Sequence, residues 1–127
     1  MSDDSLIDHM VAYFVAGPAN DFTVATRWYP YGELVLIIED KFSVATRKFG
    51  PKVRGKAKVA GTAFLDAMIA KGVWETKAND FGGQMHQFQA DKFRAAITEQ
   101  QESDPIIARA KAEGPEFWEK AFAGLVA

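Results

Sequence analysis

The sequence predicts one α+β domain over residues 1–127, mostly helical, in the order helix, strand, helix, helix, β-hairpin, with additional C-terminal helices from about residue 90. Three observations predict it. Apolar side chains recur at helical spacing around residues 6–15, 35–49 and 60–69. β-branched and aromatic residues alternate at period two around residues 22–29 and again within 73–89. No Pro-, Gly- or Ser-rich stretch long enough to be a linker separates these segments.

The bounds of the chain agree. A chain of 127 residues buries about two-thirds of the surface its unfolded form exposes, enough for a core without staples. With 48% apolar and 25% charged residues it has the balance of an ordinary folded domain. The absence of cysteine removes disulfides, thiolate metal sites and thiol nucleophiles. The opening "MSDDSLID" is acidic where a signal peptide is basic, and no apolar run approaches the ~20 residues that cross a bilayer. The expectation is a cytoplasmic protein without a membrane partner.

Each element has its own signals. "SLID" at residues 5–8 has capping-box spacing, and Leu6, Ile7, Met10, Val11, Phe14 and Val15 form one stripe of a helix that Gly17 and Pro18 stop. "DFTVATRWYP" then reads as a short strand. The words "FTVATR" at 22–27 and "FSVATR" at 42–47 nearly repeat, with no third copy. The second follows "GELVLIIEDK", and Val35, Ile38, Phe42, Ala45 and Phe49 carry helical spacing through it to Gly50 and Pro51. The alternative is a β-hairpin over residues 22–38 turning at "YPYGE".

Beyond Pro51, "VRGKAKVAGTAFLDAMIAKG" predicts one helix with Ala60, Phe64, Leu65, Met68 and Ile69 buried, and with Arg54, Lys58, Thr62 and Asp66 at four-residue steps on another face. "VWETKANDFGGQMHQFQ" predicts two strands around a loop too long for the tightest turns. Three helices follow: one capped by Asp91, one opened by "SDP" at 103–105, and one after Gly114 and Pro115. This order is that of a winged-helix core, in which the single strand pairs with the hairpin and the third helix is offered to a DNA groove.

Charge is unevenly placed. Residues 1–40 hold one Arg against seven acids, residues 41–58 hold seven Lys and Arg against none, and residues 59–127 hold seven against ten. A concentrated positive block raises the local concentration of polyanions, although most such runs are a solvated surface. Here it falls on the turn and first part of the third helix, so DNA or RNA is the expected partner, contacted by Arg47, Lys48, Lys52, Arg54, Lys56, Lys58 and, for base edges, Thr62.

No catalytic residue, metal site or cofactor is expected. His9 and His86 are the only histidines and neither stands in a ligand-spaced pattern. No phosphate-cradling glycine loop is present, and neighbouring carboxylates such as Glu39 and Asp40 do not face each other on a helix. Trp28, Tyr29 and Tyr31 read either as a stacking platform or as core. The chain is therefore read as a small non-enzymatic nucleic-acid-binding protein. The alternative is a protein-interaction module, homodimeric through Phe117, Trp118, Phe122 and Leu125 on the last helix, with no nucleic-acid binding. The same face would serve equally to cover the core of its own domain.

Overall fold

The structure is a computed structural model that describes residues 3–126. Helix α1 (Asp3–Ala16) buries Leu6, Met10, Phe14 and Val15, with Ile7 and Val11 half-buried, on the predicted stripe. Ser5 is not its cap. It lies inside the helix, where its carbonyl accepts a hydrogen bond from His9 Nδ1 at 2.7 Å. Gly17 ends α1 by donating to the Tyr13 carbonyl at 3.2 Å, and Pro18 opens a short 3-10 turn (Pro18–Asp21).

The predicted first strand is much shorter than its alternation suggests. Residues 22–27 are irregular and only β1 (Trp28–Pro30) pairs, with Gln87, His86 and Met85 of the central strand. Pro30 has no N–H to donate, which an edge strand tolerates. Helix α2 (Tyr31–Thr46) begins immediately, so the alternative hairpin over 22–38 does not form. Its buried line is Leu34, Ile38, Phe42 and Thr46, one residue to the side of the expected stripe, and Val35, Ala45 and Phe49 are half-buried.

The next helix is two, not one. Helix α3 (Pro51–Arg54) closes where Gly55 donates to the Pro51 carbonyl at 2.9 Å and Lys56 to that of Val53 at 3.0 Å, and α4 (Ala57–Ala70) starts afresh. Arg54 is therefore not on the helix that carries Lys58, Thr62 and Asp66. Helix α4 buries Ala57, Ala60, Phe64, Leu65 and Met68 and lies along α2. Gly61 lets the two approach, since a Cβ there would sit 3.0 Å from Ile38 Cγ2.

The hairpin forms as predicted from β2 (Trp74–Ala78) and β3 (Gln84–Phe88), giving a three-stranded antiparallel sheet in the order β1-β3-β2. The protein is thus α+β and mostly helical, and its elements follow a winged-helix order loosely, with the third helix split into α3 and α4. Helices α5 (Ala90–Ser103), α6 (Pro105–Glu113) and α7 (Phe117–Val126) complete it. Asp91 lies in the first turn of α5 rather than at its cap, which is Gln89. Asp104 does cap α6, accepting from the Ile106 N–H at 2.9 Å ahead of Pro105.

The core is aromatic at its centre. Phe14 stacks on Phe42 with centroids 4.3 Å apart and meets Phe64 and Phe22 edge-on. Helix α7 extends this core across α1 and the 3-10 turn after α2. Phe117 and Phe122 are buried, and Trp118 and Leu125 are half-buried against the same cluster. Tyr13 packs edge-on to Trp118 at 5.3 Å, and Phe49 lies 4.5 Å from Phe122. All four side chains pack against their own domain, where Tyr13 and Phe49 supply aromatic partners.

Candidate nucleic-acid interface

The basic segment is a turn between two packed helices. Thr46 ends α2, a 3-10 turn (Arg47–Phe49) follows, and Gly50 reverses the chain at φ +98°, a conformation L side chains rarely adopt. Pro51 then sits in the first turn of α3, where its missing N–H is no loss. Val53 and Ala57 are buried and pin the turn to the core, which leaves the charged residues between them outside.

The six cations do not form one equivalent set. Lys48 places its ammonium 5.5 Å from the Tyr13 ring centre and 5.1 Å from that of Phe49. Lys52 donates to the Val126 carbonyl at 3.4 Å, at the negative C-terminal end of α7. Both therefore have partners within the fold. Lys56 is half-buried immediately before α4 and is also engaged. Arg47, Arg54 and Lys58 are exposed, and their side chains make no hydrogen bond or ion pair with any described residue.

No acid interrupts the sequence from Lys41 to Leu65. Thr62 is half-buried one turn beyond Lys58, and Val59 and Ala63 are exposed around it, a small apolar surface that a search for charge overlooks. The next acid, Asp66, accepts the Tyr31 hydroxyl at 2.7 Å, and that bond holds the phenol's pKa above its usual value. The outer face of α4 therefore starts with a free cation and reaches its first carboxylate only where that group is already engaged.

His9 stacks on Phe117 at 6.3 Å, while His86 is buried in β3 with Nδ1 3.0 Å from Thr76 Oγ1, on a separate element from His9. Burial holds the His86 pKa below the ordinary 6.5, so it is neutral near pH 7. Among the described residues no His, Asp or Glu cluster could hold a metal ion. Tyr29 is core, and Lys77 covers the half-buried Trp28 with its ammonium 4.2 Å from the ring. No helix among the described residues is long and apolar enough to cross a membrane. Comparison of the chain with protein-family models, curated proteins and solved structures finds no match.

Proposed function

We propose that this protein binds nucleic acid without catalysing a reaction, laying the turn of residues 47–58 and the first half of α4 against a phosphate backbone. One observation carries the reading: Arg47, Arg54 and Lys58 are exposed and without side-chain partners, on a turn pinned to the core by Val53 and Ala57, within a stretch that holds no acid. Cations left unpaired by the fold are available to phosphate at no loss of internal contacts, and a pinned turn presents them with little backbone entropy to lose on binding. The loosely winged-helix order of elements supports the same docking, with α4 as the helix offered to the duplex.

The contacts are to the backbone, so selectivity among sequences is weak; Thr62 is the polar side chain of α4 best placed to add any. The test is binding to mixed-sequence duplex DNA across a salt series. Each phosphate neutralised contributes about −0.9 to the log–log slope, so three free cations predict a slope of about −2.7. Replacing Arg54 and Lys58 together with Ala flattens it by about two units and leaves the fold intact, since exposed cations add little stability. Absence of salt-dependent binding at low ionic strength would mean that the basic turn is only a solvated surface.

A further inference from the structure

The loop between β2 and β3 holds an aromatic ring away from the protein. Of the ten phenylalanines in the chain, Phe81 alone is exposed, with 95% of its surface in solvent. The loop that carries it is ordered by its own hydrogen bonds. Asn79 Oδ1 accepts from the Phe81 N–H at 2.9 Å and from the Gly83 N–H at 2.8 Å, while the Asn79 N–H donates to the Gly83 carbonyl at 2.9 Å. Two glycines make this arrangement feasible. Gly82 takes φ +82°, and a Cβ on Gly83 would stand 3.0 Å from Asn79 Nδ2.

The tip is also slim and unsupported on its sides. Strand β1 pairs with β3 only as far as Met85, which stands opposite Lys77 on β2, so the chain from Ala78 to Gln84 extends past the last pair of β1. Its root is firm, since Trp74 and Phe88 are buried and lie 5.1 Å apart. Residues 79–83 contain no cation, and their one charge is Asp80, which opposes approach to phosphate. Whatever Phe81 meets is therefore met through its ring.

We propose that Phe81 is a wedge that enters a base step of the duplex held by the basic turn; this rests on the nucleic-acid reading above. Glycines beside the ring keep the tip slim, and apolar side chains driven between base pairs unstack them. The basic turn supplies the attraction and the tip supplies the distortion. The two contributions differ in kind, because a ring between bases neutralises no phosphate and releases no counterion.

The experiment measures salt-dependent affinity together with the emission of 2-aminopurine placed at several steps of a mixed-sequence duplex, for the wild-type protein, Phe81→Ala and Phe81→Trp. The expected result is brighter 2-aminopurine with wild type, lost in Phe81→Ala along with about tenfold in affinity, at an unchanged salt slope, and regained in Phe81→Trp. Phe81 makes no ring contact with another described residue, so thermal unfolding of the variants serves as the folding control. Salt-dependent binding with no change in emission and no effect of Phe81→Ala would overturn the wedge and leave the basic turn standing. No binding of any of the three proteins to duplex would overturn both.

Discussion

Residues 22–27 and 42–47 read FTVATR and FSVATR, and the fold uses them in opposite ways. The first copy is irregular chain leading into β1, with Phe22 buried, Val24 half-buried and Thr26 exposed. The second is helix, with Phe42 and Thr46 fully buried and Val44 60% exposed. The Thr46 hydroxyl turns inward to the Phe42 carbonyl at 2.7 Å. Both phenylalanines contact one ring, Phe14, Phe22 edge-on and Phe42 stacked.

The neighbours decide between the two. The second copy continues a helix already running from Tyr31, and adding residues to a formed helix is easier than starting one. The first is confined between the 3-10 turn ending at Asp21 and Pro30, which leaves no room for a helix of useful length. The arginines that end the copies diverge most. Arg27 lies 3.8 Å over the Tyr29 ring and is paired with Glu33, which raises its pKa, whereas the Arg47 side chain has no partner among the described residues. One word of sequence thus gives a structural cation and a free one.

The largest expected effect comes from the phenylalanines. Phe42→Ala, at the centre of the packed helices, should lower stability by about 4 kcal/mol, and Phe22→Ala, in irregular chain, by about 3 kcal/mol, in urea unfolding. A greater loss at Phe22 would mean that the irregular copy, not the helical one, anchors the core.

A smaller effect belongs to the strand that follows the first copy. His86 pairs in register with Tyr29, and burial keeps it neutral. The unfolded chain takes up this proton more readily than the folded one, so the stabilisation is complete above the unfolded pKa of 6.5 and is lost as pH falls through the lower folded value. Melting temperatures measured from about pH 7 to about pH 5 should fall more steeply for the wild type than for His86→Gln. Equal slopes would show that His86 carries none of the acid sensitivity.

Periodicity and punctuation made most of the fold legible. Gly50 with Pro51, Asp104 with Pro105 and Gly114 stand where the sequence placed its breaks. The break between α3 and α4 falls at Gly55, but it was masked in the sequence because Val53, Ala57, Ala60, Phe64 and Met68 are all buried and keep helical spacing straight through it. The basic segment was plain in composition. Its division into engaged and free cations was hidden, since the partners of Lys48 and Lys52 include Tyr13 and Val126, from opposite ends of the chain. The apolar face of α7 was visible too, but not that Tyr13 and Phe49 would cover it.

The two arginines give the most direct measurement. Duplex binding should be followed across a salt series for wild type, Arg47→Ala and Arg27→Ala, with circular dichroism confirming that each is folded. Removing the free arginine should flatten the log–log slope by about 0.9, one phosphate contact, while removing the arginine held by Tyr29 and Glu33 should leave the slope unchanged. Equal slopes for all three proteins, or a slope that changes only with Arg27, would contradict the assignment of the free cations to the nucleic acid.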